Sequence, residues 1–250
     1  MKNLDVNMIL NRKGIEEEIM LVLKDIVSNN TQLGIKKGIY IAGKPGVGKS
    51  RFITDLIKKI NFDAIVYDAG DIRNKSVIDT LTRDNMANNN VLSMFNKKSK
   101  PIVVVMDEID GMNSGDKGGI NSLIKVIRPK KTKRQKTEEF TTNPIVCISN
   151  VHVDKKIREL MKVCHVFKLD QPTDSQIREL SRQYMPSVSE STIQGVVSYI
   201  QGDLRRMSFI FNMHDTNFNL FEETIASGVL KNKSFAEDTR DVVKSLINRT

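Results

Sequence analysis

The sequence predicts an α/β fold: a parallel five-stranded sheet flanked by helices, followed by a small α-helical domain. Three observations carry this. Between Gly38 and Leu169, short apolar runs alternate with segments of helical period, the pattern of strands joined by crossover helices. Two of the runs, Ile102–Met106 and Ile145–Ser149, are almost continuously apolar, as strands covered on both faces must be. Beyond Gln171 the strand signals stop and helical spacing takes over, punctuated by Pro172, Pro186 and Gly202.

The elements follow in order. Ile15, Ile19, Leu23 and Ile26 recur at helical spacing and predict an amphipathic helix over Lys13–Val27. Gly38–Ala42 reads as the first strand, and a glycine-rich turn leads from it into a helix over Arg51–Ile60. Ala64–Tyr67 is the second strand and Ile102–Met106 the third. Ile120–Ile127 is a helix, Ile145–Ser149 the fourth strand and Val166–Leu169 the fifth. Helices are then expected at Asp174–Tyr184, Ser189–Ile200 and Asp203–Asn212, with Asp174 and Ser189 as caps. The expected division is therefore 1–170 for the α/β core, 171–226 for the helical domain, and 227–250 for a polar tail with a weak helix near Asp238–Ile247.

Composition sets the outer bounds. The chain has 250 residues, 39% hydrophobic and 28% charged, which suits a packed globular protein and is too apolar for a disordered one. No apolar run approaches the ~20 residues needed to span a bilayer, and MKNLDVNMILNRKG has no apolar core of a secretory leader. The two cysteines, Cys147 and Cys164, belong to no metal-spaced cluster, and Cys147 lies in an apolar run. A buried, inert thiol in a reducing compartment is expected. The net charge of +9 favours a polyanionic partner, although a solvated basic face has the same signature.

The chemistry is concentrated in two motifs. Gly43-Lys-Pro-Gly-Val-Gly-Lys-Ser50 matches G-x-x-x-x-G-K-[ST] in full, with a strand before it and a helix after. Its glycines let successive N–H groups turn toward phosphate oxygens, and the helix N-terminus adds a favourable dipole. The expected phosphate cradle is Gly43, Lys44, Pro45, Gly46, Val47, Gly48, Lys49, Ser50 and Arg51. Within it, Lys49 neutralises the β and γ phosphates of ATP and Ser50 ligates Mg²⁺. The third strand runs into Asp107 and Glu108. Adjacent strand residues point to opposite faces, so Asp107 is expected on the Mg²⁺ side and Glu108 as the general base for water.

This pair of motifs is shared by many P-loop families; the chain resembles those of the AAA+ type, and that resemblance implies two sensors. Asn150, at the end of the fourth strand, is in the place of the polar residue that holds the attacking water, although an Asn that starts a turn is common at a strand end. Arg205, in Gly202-Asp-Leu-Arg-Arg206, is in the place of the lid arginine that reaches the γ-phosphate, with Arg206 on another face. Two solvated helix arginines are the alternative.

Further residues resemble one AAA+ family, the clamp loaders of the replication factor C type, and within it the large subunit. Asp68-Ala-Gly-Asp-Ile-Arg-Asn-Lys75 is similar to that family's Asn-Ala-Ser-Asp-x-Arg-Ser-Lys element. Met106-Asp-Glu-Ile-Asp-Gly-Met112, followed by Asp116-Lys-Gly-Gly-Ile120, is similar to the large subunit's Asp-Glu-Val-Asp-Gly-Met and its glycine pair. Lys156-Ile-Arg-Glu-Leu-Met-Lys-Val-Cys164 resembles the large-subunit segment that ends in Cys. The resemblance runs from about Ile35 to Asn212.

The resemblance implies an ATP-hydrolysing subunit that works with small clamp-loader subunits, a sliding clamp and primer–template DNA, in the nucleus or a cytoplasmic replication compartment. No role at a membrane is expected. Lys162-Val-Cys164 stands where small subunits carry Ser-Arg-Cys, so this chain is expected to receive a neighbour's arginine finger and to donate none. The family's Tyr-x-Pro box is missing, and its collar domain is reduced to at most the tail after Ser227. A non-catalytic ATP-binding DNA scaffold and an origin or checkpoint AAA+ ATPase are the rival readings.

DNA contacts are expected through phosphates, from Arg73 and Lys75 after the second strand and from Lys117 before the helix at Ile120; solvated charge is the alternative for each. The segment 128–143, RPKKTKRQKTEEFTTN, reads as an exposed basic insertion. Its Lys130, Lys131, Lys133 and Arg134 are candidate phosphate contacts. A nuclear-import signal and an inert solvated loop remain open for it.

Overall fold

The computed structural model describes residues 6–29, 32, 34–68, 100–114, 119–136, 141–150 and 155–227. Arg73, Lys75, Lys117 and the helix expected near Asp238–Ile247 lie outside the described residues.

One unit comprises residues 10–171. Its five strands are β1 (Gly38–Gly43), β2 (Asp63–Tyr67), β3 (Ile102–Met106), β4 (Ile145–Ser149) and β5 (Cys164–Leu169). They form a parallel sheet in the order β2-β3-β4-β1-β5. The register places Tyr40 opposite both Cys147 and Val166. Every residue of β3 and β4 is buried, as their apolar runs require. β2, an edge strand, alternates between half-buried and exposed.

The two-residue period sorts the strand side chains onto two cores. Ile39, Ile41, Val103, Val105, Val146 and Ile148 face helices α2 (Lys13–Ser28) and α3 (Lys49–Lys59), meeting Ile19, Leu23, Phe52, Ile53 and Leu56. Tyr40, Val104, Met106 and Cys147 face α4 (Gly119–Ile127) and α6 (Lys155–Val163), meeting Ile120, Leu123, Ile157 and Leu160. Each fully buried Ile or Leu contributes about 1.5–3 kcal/mol, so both helical layers are held to the sheet mainly by area. Between α4 and α6 lies the short α5 (Lys133–Lys136). An ion pair supplements the packing: Glu16, with its side chain 6% exposed, accepts from Lys59 Nζ at 2.7 Å and ties α2 to α3.

The second unit is helical and joins the chain from Pro172 onward with the N-terminal residues up to Ile9. It contains α7 (Asp174–Tyr184), α8 (Glu190–Ile200), α9 (Leu204–Thr216) and α10 (Phe218–Ala226). The expected cap Ser189 accepts from the Thr192 amide. The expected cap Asp174 is corrected to Thr173, which forms a reciprocal capping box with Gln176. Asp203 caps α9 and is not part of it. Tyr184 and Phe211 stack at 4.1 Å between centroids. The short α1 (Val6–Ile9) joins this unit, where Gln176 Nε2 donates to the Ile9 carbonyl at 3.1 Å. The boundary expected at residue 1 thus shifts, because these few residues pack on α7. Among the described residues no helix is long and apolar enough to cross a membrane.

Candidate phosphate-binding site

The site is built at the C-terminal ends of β1, β3 and β4. Between β1 and α3 the chain turns through Gly46 (φ 82°) and Gly48 (φ 81°). Residues with a Cβ avoid that left-handed conformation, so both positions call for glycine. Val47, fully buried between them, anchors the loop in the core. Gly48 is the N-cap of α3 and contributes no side chain, which leaves the first N–H groups of that helix for a ligand.

Lys49 opens α3 and its ammonium is held back over the loop. Nζ donates to Gly43 O at 2.9 Å, Lys44 O at 3.1 Å and Asn150 Oδ1 at 3.1 Å. Ser50 Oγ donates to Asp107 Oδ2. Arg51, the last residue of the expected cradle, is exposed and lies 3.6 Å from Asp55 on its own helix. Lys44 and Pro45 are exposed at the loop tip.

The two acids do not divide by strand alternation as expected. β3 ends at Met106, and Asp107 is secured past it by its N–H, which donates to Tyr67 O at 2.8 Å. Glu108 takes φ 52°, and its N–H donates to Asp107 Oδ1 at 2.9 Å. A left-handed turn, not the pleat, separates the two carboxylates. A non-glycine residue pays of order 1–3 kcal/mol for such a conformation, and such residues cluster at functional sites.

Past Glu108 the chain makes a 3₁₀ turn over Ile109–Ser114. Asp110 on this turn accepts from Ser149 Oγ at 3.2 Å and from Asn150 Nδ2 at 3.0 Å. Asp110 is the site residue that motif reading gave no role; its signal was its place two residues past Glu108. Beneath this network lies the fully buried Tyr40, whose phenol is pushed above its ordinary value first by burial, with Ser149, Cys147 and Asp110 as neighbours. Burial likewise pushes the Cys147 thiol well up and the Cys164 thiol up to about 12. Both are inert at neutral pH.

The donor set fits a hard divalent cation. Ser50 and Asp107 supply adjacent oxygens, and Mg²⁺ prefers one or two protein oxygens with phosphate and water completing its shell. Among the described residues there is no cluster of three or more His, Cys, Asp or Glu that could hold a metal unaided.

Arg205 belongs to the helical unit. Its backbone N–H donates to Asp203 Oδ1 and its side chain is exposed. Arg206 is committed within that unit: Nη1 donates to Tyr199 O at 2.8 Å and the guanidinium lies 4.7 Å from the Tyr199 ring centroid.

The basic insertion departs from expectation. Lys131, Lys133 and Arg134 are exposed, but Lys130 is 3% exposed and donates to Lys125 O. The wholly exposed loop is corrected at Lys130, which folds back to satisfy the last turn of α4 and is removed from the surface charge. Thr141 and Asn143 are buried as well.

Fold and site together define a P-loop nucleotide-binding protein. The chain belongs to the ATPase family associated with various cellular activities (AAA), which matches residues 39–169. It is 24% identical over 244 residues to replication factor C subunit 1 of Schizosaccharomyces pombe, covering 90% of this chain and 25% of that relative. It is 25% identical over 202 residues to the replication factor C large subunit of Methanococcus aeolicus, covering 79% of this chain and 38% of the relative. The chain thus spans well under half the length of these relatives. A solved structure of Thermotoga maritima RuvB, a Holliday junction branch migration motor, has a TM-score of 0.55 at 12% identity and covers 95% of this chain and 76% of that one. That likeness concerns the fold alone.

Proposed function

We propose that the chain is an ATP-binding and ATP-hydrolysing subunit of a DNA sliding-clamp loader of the replication factor C large-subunit type. The observation that carries this reading is the pairing of Lys49 with Asn150 and of Ser50 with Asp107, in a chain similar to replication factor C large subunits over most of its length.

The mechanism follows from what each side chain can exchange. Lys49 gives up carbonyl oxygens for the β and γ phosphates, trading neutral acceptors for charged ones. Ser50 Oγ and the Asp107 carboxylate would be the protein oxygens that hold Mg²⁺. The ion, when bound, neutralises charge on the phosphates. Glu108, exposed beyond its turn, accepts a proton from the attacking water. Asn150 stands beside Lys49 to align that water. Arg205 is the lid residue that senses the γ-phosphate, and a neighbouring subunit supplies the finger that Lys162-Val-Cys164 lacks.

Primer–template DNA is held through its phosphates, with Lys131, Lys133 and Arg134 the exposed candidates; Arg73, Lys75 and Lys117 belong to the same proposal. Reconstitution tests the reading. The chain alone should turn ATP over slowly. Small clamp-loader subunits, clamp and primer–template DNA should raise the rate by roughly 10³–10⁵, the range for a finger acting in trans. Fast turnover by the chain alone, unmoved by those partners, contradicts the assignment.

A further inference from the structure

Asn150 has different partners at its two ends. Oδ1 accepts from Lys49 Nζ at 3.1 Å, and Nδ2 donates to Asp110 Oδ2 at 3.0 Å. The second oxygen of Asp110 accepts from Ser149 Oγ at 3.2 Å. An ammonium only donates and an ionised carboxylate only accepts. Turning the amide over would set oxygen against carboxylate and NH₂ against ammonium, and both charge-assisted hydrogen bonds would be lost.

We propose that Asp110 is a positioning residue for ATP hydrolysis: by holding the Asn150 nitrogen it keeps the amide oxygen turned toward Lys49 and the phosphate side, where that oxygen serves as an acceptor. This rests on the ATPase reading of the site. An acceptor there can hold an O–H of the attacking water, but it cannot donate to an anionic phosphate oxygen. Asn150 therefore aligns water and does not neutralise the γ-phosphate.

The turn's own construction supports this. Asp110 shares its 3₁₀ turn with Ile109, which is fully buried, and the turn is closed by Gly111 N–H donating to Glu108 O at 2.9 Å. One short, core-anchored segment thus sets both the proposed base and, through Asp110, the group that orients the water. The backbone that carries the proposed base is continuous with the residue that orients the water-holding amide, an arrangement suited to positional catalysis.

Two measurements on the whole chain test the proposal. The first needs no nucleotide: a double-mutant cycle of Asp110→Ala and Asn150→Ala in urea unfolding. A hydrogen bond to a charged group implies a coupling of roughly tenfold or more in the unfolding constant. Zero coupling means that Asp110 does not hold Asn150, and the proposal falls.

The second is single-turnover ATP hydrolysis with small subunits present, with ATP affinity measured separately by a fluorescent analogue. Asp110→Ala should slow hydrolysis by roughly 10–100-fold, the scale of a misplaced reacting group, while ATP affinity changes little. A merely structural residue would move both together.

The reciprocal pair Asp110→Asn with Asn150→Asp restores the hydrogen bond and leaves an acceptor facing Lys49. It should hydrolyse ATP faster than Asp110→Ala. If it is no faster, Asn150 acts as a donor to phosphate and the acceptor assignment is wrong. If the unsubstituted chain binds ATP but hydrolyses none with its partners present, the ATPase reading has failed. The unfolding cycle then decides alone whether Asp110 holds Asn150.

Discussion

The two ends of β1 put lysine to opposite uses. Past its C-terminal end, Lys49 is half-buried and its ammonium is shared among Gly43 O, Lys44 O and Asn150 Oδ1. Before its N-terminal end, Lys37 is 4% exposed and donates to Thr141 O at 2.8 Å. Nearby Lys130, equally buried, donates to Lys125 O. All three ammonium groups donate to backbone carbonyls, and Lys49 donates to a side-chain amide as well, so the carbonyl contacts alone do not distinguish them. Access does. Where solvent and ligand can reach, carbonyl bonds are exchangeable for phosphate; where they cannot, the same bonds offset the cost of burying a charge. Burial first, and Lys130 second, bring the Lys37 pKa down from 10.5 to about 8.

The sharpest way to break this contrast is at the phosphate end. Lys49→Ala should abolish nucleotide binding, since it removes the ammonium aimed at the β and γ phosphates. The rise in Tm on adding ATP and Mg²⁺ should vanish, and a rise that persists would place the ligand elsewhere. Glu108→Gln should bind ATP as before but release phosphate at least roughly 10²-fold more slowly, the scale of losing a general base. Native-rate phosphate release from this variant would remove Glu108 from the mechanism.

The basic end allows two milder tests. Replacing Lys131, Lys133, Arg134 and Lys136 with Gly and Ser should weaken binding to DNA of any sequence. It should flatten the slope of log affinity against log salt by about 0.7–0.9 per engaged cation. Anisotropy titrations of primer–template DNA at several salt concentrations read this out; an unchanged slope leaves nuclear import or plain solvation as the loop's role. ATP affinity should be unaffected, because these residues lie past α4, remote in sequence from Gly43–Ser50.

The smallest effect is expected from Lys37→Met. Below about pH 8 both the folded and unfolded chains carry the Lys37 proton, and the burden of the buried charge is full. Between about 8 and 10.5 the folded chain sheds a proton that the unfolded chain keeps, so Lys37 makes stability rise with pH there. Urea unfolding across that window should show the stability of the unsubstituted chain gaining on that of Lys37→Met. The rise of the Cys164 thiol to about 12 acts in the opposite sense above its ordinary value of 9.0, but it is common to both chains and cancels in the difference. A pH-independent difference would mean that Lys37 keeps its proton when folded.

Much of the fold was legible because strand period and buried-strand composition are local signals. β3 and β4 fall at their expected residues, as does α7. Among the described residues, the helices missed are α1, α5, α6 and α10. α6 carries Ile157 and Leu160 on its buried side, a stripe of two residues too short to set a helical period. The phosphate loop and Asp107 were legible because chemistry there depends on contiguous residues. Asp110 and Lys130 were not, because their roles come from residues 40 and 5 positions away, reached only when the chain folds. Glu108 was named for its chemistry, but its left-handed turn has no marker in the sequence. Glycine or asparagine would have announced it.

That turn has an evolutionary consequence. Glycine at position 108 would relieve the left-handed strain, and asparagine would bear it more comfortably. A library screened only for heat resistance should therefore enrich both and discard the carboxylate. Retaining glutamate there requires selection on turnover, so residue 108 is a place where adaptation to temperature and adaptation to catalysis pull in opposite directions.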